Sequence, residues 1–187
     1  VNYFIWDKHY QGECLIQTHE KDEITSSMLR PLKEPKVDIL IRYNAAISIL
    51  RKIQKIKEKP FSDLISSRKP FGLTTDVKGN SVPYVNVPDN VLMYQNKGTS
   101  YIRKQNIPSN KNWVDGHKVY ISYAYGMGAK EPYQVLNTPF YGSPNTCCTE
   151  TYLVIGLFEN KQVCQNVMNY ITRKFFRFLV LLIKNTQ

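Results

Sequence analysis

The chain contains few of the residues from which catalytic and metal sites are usually built. Its 187 residues include three histidines, four cysteines and nine glycines. No two cysteines have the Cys-x-x-Cys spacing of a zinc site, and the histidines lie far apart from one another. The Gly-x-Gly at Gly126–Gly128 lacks the third glycine of a dinucleotide-binding turn. The sequence therefore offers no visible nucleophile–base pair, metal cluster or phosphate cradle, and we expect no metal and no cofactor within it.

Long hydrophobic runs are also missing. The longest, Phe178–Ile183, is far shorter than the roughly 20 residues that span a bilayer. The N-terminus has no positively charged stretch followed by a long apolar run, so there is no signal-peptide pattern. The cysteines, at positions 14, 147, 148 and 164, are most consistent with free thiols in a reducing compartment. We expect a cytoplasmic protein without a membrane partner.

Positive charge, in contrast, is abundant. The chain carries 25 Lys and Arg against 15 Asp and Glu, a formal net charge of +10. Its composition is 42% hydrophobic and 12% aromatic, which is enough to bury a core and too apolar for a disordered basic tail. Such an excess on a folded chain favours a polyanionic partner, because each cation that neutralises a phosphate releases a counterion.

The hydrophobic patterns predict one α+β domain that covers residues 1–187. Isoleucines at helical spacing predict a long helix near 38–58, and an apolar stripe predicts a C-terminal helix near 161–184. Both helices should pack on a mixed or antiparallel sheet. Val1–Trp6 and Cys14–Thr18 are expected to form a hairpin. Because the first of these strands begins at residue 1, without a Met or a polar segment before it, we expect the chain to be a piece of a longer protein. The other predicted strands are Val91–Gln95, Ser100–Arg103, Lys118–Tyr123, Tyr133–Val135 and Thr149–Ile155.

Several polar stretches combine cations, hydroxyls, amides and tyrosines, the groups that contact phosphates and base edges. Each stretch alone is equally consistent with an ordinary polar loop, but together they favour DNA or RNA. The predicted phosphate contacts are Arg68, Lys69, Lys97, Lys104, Arg173 and Arg177. The predicted base contacts or stacking residues are Tyr101, Arg103, Gln105, Asn106, Tyr123 and Tyr125. Lys118 and Tyr120 belong to the same basic and aromatic pattern.

Several stretches spread over nearly the whole chain are distinctive as a set. The most specific are Arg68-Lys-Pro-Phe-Gly72 and Cys147-Cys-Thr-Glu-Thr-Tyr152. The others are Asn2–Trp6, Gly12–Cys14, Ile41–Asn44, Lys97–Ile102, Trp113–Asp115, Lys118–Val119, Lys174–Val180 and Lys184–Gln187. Taken together, they resemble the C-terminal part of adenine-specific DNA methyltransferases from bacterial type II restriction–modification systems.

This resemblance implies a target-recognition region separated from its catalyst. In that family an N-terminal domain of the same protein holds the S-adenosylmethionine site and an Asn-Pro-Pro-Tyr motif that receives the flipped adenine. This chain has neither, and its nearest string, Ser143-Pro144-Asn145, does not match. The resemblance therefore implies that the chain recognises double-stranded DNA sequence-specifically, and that S-adenosylmethionine and the methyltransferase activity belong to the other domain. It assigns no role to individual residues here.

Two other functions are compatible with the sequence. A restriction endonuclease domain would cleave DNA with a divalent metal and would use Glu150 or Glu159 among its metal ligands. An interaction module would dock a partner subunit through the apolar C-terminal helix.

Overall fold

A computed structural model describes residues 3–86, 88–124 and 135–183 of the chain. These residues divide into two compact units. The first holds the chain up to Glu58 together with Leu182, and the second runs from Lys59 to Leu181. Each unit is described by itself. The single domain stays a prediction, because two compact units of one chain can still fold cooperatively.

The first unit is built on a β-hairpin and one helix. Strand β1 (Cys14–Glu20) pairs antiparallel with β2 (Glu23–Arg30). The two residues between the strands, Lys21 and Asp22, both have positive φ, at 48° and 68°. Two consecutive left-handed residues are the geometry of a tight hairpin turn, whose twist matches that of the flanking strands.

Helix α1 (Ala45–Gln54) begins where Asn44 is tied to the hairpin. Asn44 Nδ2 donates to the carbonyl of Ile16 at 2.9 Å, and Asn44 Oδ1 accepts from Nε of the buried Arg30 at 2.9 Å. A buried guanidinium is tolerated only when its donors find acceptors, and Arg30 also donates to the Ile41 carbonyl. These bonds fix the start of the helix.

Two predictions for this unit need correction. Residues Tyr3–Trp6 form no strand and their side chains are exposed; β1 pairs with β2 instead, because the tight Lys21-Asp22 turn makes the adjacent segment the nearer partner. The helix predicted near 38–58 exists but is shorter. The residues before Asn44 are held by Arg30 in a non-helical connection, and the helix ends at Gln54.

The second unit contains two three-stranded sheets. In the first sheet, β3 (Asn90–Gln95) lies between β4 (Gly98–Arg103), which is antiparallel to it, and β7 (Thr146–Cys148), which is parallel. In the second, β5 (His117–Ser122) lies between β6 (Phe140–Gly142) and β8 (Tyr152–Phe158), both antiparallel. The α+β class with mixed and antiparallel strands is therefore confirmed.

Both sheets contribute to one hydrophobic core. Val91, Met93 and Cys147 from the first sheet lie in the same buried cluster as Tyr120 and Val154 from the second. Because side chains alternate along a strand, Val119, Ile121 and Ile155 point to the opposite face of the second sheet. There they pack with residues of helix α2 (Lys161–Ile171). The second sheet is thus buried on both faces.

The C-terminal helix predicted near 161–184 is two helices, α2 and α3 (Lys174–Ile183). The break falls at Thr172, whose hydroxyl donates to the carbonyl of Asn169 at 3.0 Å and so competes with the continuing helix. Strand β8 begins at Tyr152, later than predicted. The predicted strand Tyr133–Val135 lies outside the described residues, apart from Val135, which is not in a strand.

Candidate nucleic-acid interface

The excess positive charge is concentrated in the second unit. Its described residues include thirteen Lys and Arg against six Asp and Glu, whereas the chain up to Glu58 has ten against eight. The first unit is thus close to electrically balanced. Any attraction to a polyanion comes mainly from the second unit.

Two predicted phosphate contacts meet at the buried carboxylate of Glu150, and a predicted base contact, Tyr123, lies against one of them. Arg68 Nη2 lies 3.0 Å from Glu150 Oε2, and Lys69 Nζ lies 3.7 Å from the same oxygen. Arg68 Cζ also lies 5.0 Å from the centre of the Tyr123 ring, a cation–π distance. We call Arg68, Lys69, Tyr123 and Glu150 the Glu150 cluster. It joins residues that are remote in sequence.

Backbone contacts hold this cluster in place. Ser66 follows the edge of β8: its N–H donates to the Val154 carbonyl at 2.8 Å, and its hydroxyl accepts the Val154 N–H at 2.9 Å. Glu150 Oε1 accepts the Thr75 N–H at 3.2 Å. The carboxylate is 9% exposed, whereas the side chains of Arg68 and Lys69 are 57% and 46% exposed. The cations therefore face solvent from a fixed base, with part of their charge neutralised.

A second Arg–Tyr pair lies at the end of strand β4. Arg103 Cζ is 4.9 Å from the centre of the Tyr84 ring. Tyr84 is held on both sides of its backbone by one amide: Asn90 Oδ1 accepts the Tyr84 N–H at 2.7 Å, and Asn90 Nδ2 donates to the Tyr84 carbonyl at 3.0 Å. Asn90 is also the cross-strand partner of Arg103. The ring that orients Arg103 is therefore fixed by the strand next to it.

The residues that follow Arg103 are less available than the sequence suggested. Lys104 Nζ contacts both carboxylate oxygens of Asp115, at 2.7 and 2.8 Å. The carbonyl of Gln105 accepts from Lys111 Nζ at 2.8 Å, while the Gln105 and Asn106 side chains are exposed. An exposed ion pair of this kind stabilises by at most about 1 kcal/mol, so a phosphate can compete with Asp115 for Lys104.

Two of the predicted phosphate contacts adopt a backbone conformation that is uncommon for lysine. Lys69 has φ of 61° and Lys97, in the turn between β3 and β4, has φ of 66°. A side chain with a Cβ costs roughly 1–2 kcal/mol in the left-handed region, where Gly or Asn is usual. Lys97 is exposed, and within the described residues no carboxylate lies within ion-pair distance of it.

The remaining predicted residues are spread over other parts of the second unit. Arg173 and Arg177 lie one helical turn apart at the junction of α2 and α3. Tyr101 is half-buried, and its backbone bridges to Asn80. Tyr125 lies outside the described residues. The structure thus brings together Arg68, Lys69 and Tyr123, and separately Arg103 with its sequence neighbours.

One expected contact stretch is wrong. Lys118 and Tyr120 are both fully buried. Lys118 Nζ donates to three backbone carbonyls, of Val114, Gly116 and Ser143, at 3.2, 2.7 and 3.3 Å. Tyr120 packs against the rings of Tyr94 and Phe140. Burial lowers the pKa of Lys118 to about 8, because a charged ammonium is disfavoured away from water.

Sequence reasoning missed Tyr84 and Asn90, and it assigned Glu150 only as a possible metal ligand. Tyr84 lies in a loop, so no periodic pattern marks it. The partnership of Glu150 with Arg68 and Lys69 depends on the path of the segment 65–75, which pairs with strand β8 at Ile65 and Ser66 and accepts the Glu150 N–H at the Leu73 carbonyl. The sequence alone does not show which cations lie next to Glu150.

No protein-family model, curated protein or solved structure matches this chain. In the described ranges, His, Cys, Asp and Glu side chains form no group of three that could hold a metal ion. No helix in that part of the chain is long and apolar enough to cross a membrane. All four cysteines are free thiols.

Proposed function

We propose that this chain binds double-stranded DNA sequence-specifically and supplies target recognition to an adenine-specific DNA methyltransferase of a restriction–modification system. The catalytic domain and its S-adenosylmethionine belong to another part of the parent protein. The chain grips the duplex while the catalytic domain extrudes the target adenine.

The observation that carries this proposal is the concentration of the excess positive charge in the second unit. Thirteen cations against six carboxylates in the described second unit create a field that attracts phosphates. Several of these cations stand on fixed supports: Arg68 on Glu150 and Tyr123, and Arg103 on Tyr84. Fixed cations lose less side-chain entropy on binding than mobile ones.

The alternative of a metal-dependent nuclease is less favoured. Glu150, one of its two expected metal ligands, faces Arg68 and Lys69. A divalent cation at this carboxylate would be repelled by both neighbours. Cleavage of plasmid DNA by the purified chain with magnesium would overturn our assignment in favour of this alternative.

A titration of a labelled duplex at several salt concentrations tests DNA binding. Each neutralised phosphate contributes about −0.9 to the slope of log K against log salt. Of the six predicted phosphate contacts, Arg68, Lys69 and Lys104 are ion-paired. We therefore expect a slope between about −3 and −5, depending on how many of these pairs open.

Two matched variants locate the contact surface. Lys97→Gln in the second unit and Lys52→Gln on helix α1 each remove one exposed positive charge. Lys97→Gln should reduce the magnitude of the slope by about 1, whereas Lys52→Gln should leave it unchanged. A slope near zero would overturn DNA binding. Equal effects of the two variants would show that net charge alone, and no defined surface, attracts the DNA.

The methyltransferase part of the proposal has its own test. The coding sequence upstream of this chain should continue in the same reading frame into a domain with a glycine-rich S-adenosylmethionine site and an Asn-Pro-Pro-Tyr motif. An upstream domain of unrelated chemistry would refute this part and leave DNA binding standing.

A further inference from the structure

We infer that Arg103 reads a guanine base in the major groove and that Tyr84 is the positioning residue that orients its guanidinium. This inference rests on the proposed DNA binding and assigns the base specificity of one position. It follows from the contrast between the two Arg–Tyr pairs of the second unit.

The first pair has its charge partly neutralised. Arg68 lies over Tyr123 but also contacts the Glu150 carboxylate at 3.0 Å. The guanidinium is attracted to this carboxylate without donating to it, because among the described residues Glu150 Oε2 accepts no hydrogen bond. Such a residue can attract phosphates through its remaining charge, but it reaches a base edge only by moving away from its carboxylate, which costs electrostatic energy.

The second pair is not neutralised. Arg103 is exposed, and among the described residues its guanidinium contacts the Tyr84 ring and no carboxylate. An aromatic face holds the guanidinium through a cation–π contact and accepts no N–H bond in its plane. The donor fork at the edge of the guanidinium is therefore available to a ligand.

The support beneath Arg103 is rigid. Tyr84 is joined to Asn90 by two hydrogen bonds, at 2.7 and 3.0 Å. Asn90 is also the cross-strand partner of Arg103. The residue that holds Tyr84 therefore lies directly opposite Arg103 in the sheet. The residue after Arg103 is also fixed, since the Lys104 N–H donates to the Asp89 carbonyl at 3.0 Å.

The chemistry of the fork selects guanine. Two parallel N–H donors match the adjacent O6 and N7 acceptors of guanine, whereas adenine offers one acceptor and one donor at these positions. A phosphate also accepts two donors from an arginine, but a lysine can bind it as a point charge, and a phosphate contact carries no sequence information. Fixing the plane of an arginine brings an advantage mainly where planar recognition matters.

Selection of bound duplexes from a random library by the full chain provides the test. The selected motif should contain one position at which guanine is strongly preferred. Arg103→Lys keeps the charge but loses the planar fork, so it should keep a similar non-specific affinity and lower the preference for guanine at that single position about 5- to 150-fold. The matched control, Arg68→Lys, makes the same change in the neutralised pair and should leave the motif unchanged.

Two further measurements separate direct reading from an indirect effect. Replacing the preferred guanine with 7-deazaguanine removes the N7 acceptor and should weaken binding by the wild type but not by Arg103→Lys. Tyr84→Phe keeps the ring and should keep the preference. Tyr84→Ala should weaken binding to the preferred sequence more than it weakens binding to unrelated DNA. A general loss of stability would weaken both to the same extent.

The outcomes distinguish this inference from the proposed function. If the library yields no bound duplex at low salt, DNA binding itself is wrong and the inference falls with it. If a motif appears and Arg103→Lys leaves every position unchanged, DNA binding stands and the guanine assignment is wrong. If Arg68→Lys and Arg103→Lys relax the motif equally, the free fork is not the distinguishing feature and the inference is also refuted.

Discussion

Replacing the buried Lys118 should change how the stability of the protein depends on pH. The folded protein holds this ammonium in a site with three carbonyl acceptors, and no carboxylate of the described residues is hydrogen-bonded to it. Its pKa falls from 10.5 to about 8 on burial. Between these two values the unfolded chain binds more protons than the native one, so stability rises with pH. From pH 7 to pH 9 this contribution grows by about 1.3 kcal/mol.

Three buried thiols oppose this rise. Burial raises the pKa of Cys147 to about 12 and also raises the pKa values of Cys148 and Cys164 above their usual 9.0. For a raised thiol pKa the unfolded chain ionises first, so stability falls as pH approaches and passes 9. Cys147 removes about 0.4 kcal/mol by pH 9, and Cys148 and Cys164 act in the same direction. The thiols should therefore offset part of the rise that Lys118 produces in the wild type.

The substitution Lys118→Met removes the contribution of Lys118 and leaves that of the thiols. Methionine preserves much of the side-chain length but does not titrate. The carbonyls of Val114 and Ser143 keep other donors, from the Asn145 N–H and the Thr146 hydroxyl, and Gly116 loses its partner. That loss costs about 1–3 kcal/mol. The substitution also removes the cost of keeping Lys118 charged in the folded protein, which is about 3 kcal/mol at pH 7. This gain offsets the lost hydrogen bond.

Urea unfolding at pH 7, 8 and 9 under reducing conditions measures the difference. We expect Lys118→Met to lie within about 2 kcal/mol of the wild type at pH 7 and to fall by about 1.3 kcal/mol relative to the wild type by pH 9, because the rise due to Lys118 is then absent. Lys111→Met, which removes an exposed lysine of the same unit, should keep the wild-type profile. Parallel profiles for Lys118→Met and the wild type would refute the reasoning.

Two further substitutions test the candidate interface. Lys97→Asn, at a φ of 66°, should raise the free energy of unfolding by up to about 1 kcal/mol while reducing the salt slope of DNA binding by about 1; loss of both stability and binding would contradict this. Glu150→Gln keeps an acceptor for the Thr75 N–H and frees Arg68 and Lys69. It should cost about 1 kcal/mol of stability and tighten DNA binding with a steeper salt slope; weaker binding would show that Glu150 orients the cations for DNA.

The elements that sequence predicted well are those whose signal lies within one segment. Strands β3, β4 and β5 fall within two residues of their expected positions, because alternating apolar side chains record the two faces of a strand. Local periodicity is sufficient for such elements.

Errors arose where a distant partner decides the local structure. The helix near 38–58 is shortened because Arg30 holds the residues ahead of Asn44. The C-terminal helix is divided at Thr172 by a side-chain hydrogen bond that apolar periodicity does not record. Lys118 was assigned to a DNA-binding surface because it belongs to a basic and aromatic stretch, but its three carbonyl partners lie just before strand β5 and just after strand β6.

The candidate interface was predictable in charge but not in geometry. Composition identified an excess of cations, and residue type selected Arg68 as a phosphate contact and Arg103 as a base contact, which stay predictions. Composition does not distinguish an arginine paired with a buried carboxylate from one placed over a tyrosine. That difference depends on Glu150 and Tyr84, which only the folded chain brings to these positions.

The placement of Arg103 at the exposed end of an outer strand also bears on how such a domain changes over evolutionary time. Its neighbour Ile102 points into the core, whereas position 103 contributes nothing to that core. Exchange of this one side chain for another polar residue would leave the scaffold intact. A domain built in this way can acquire a new target sequence without first becoming less stable.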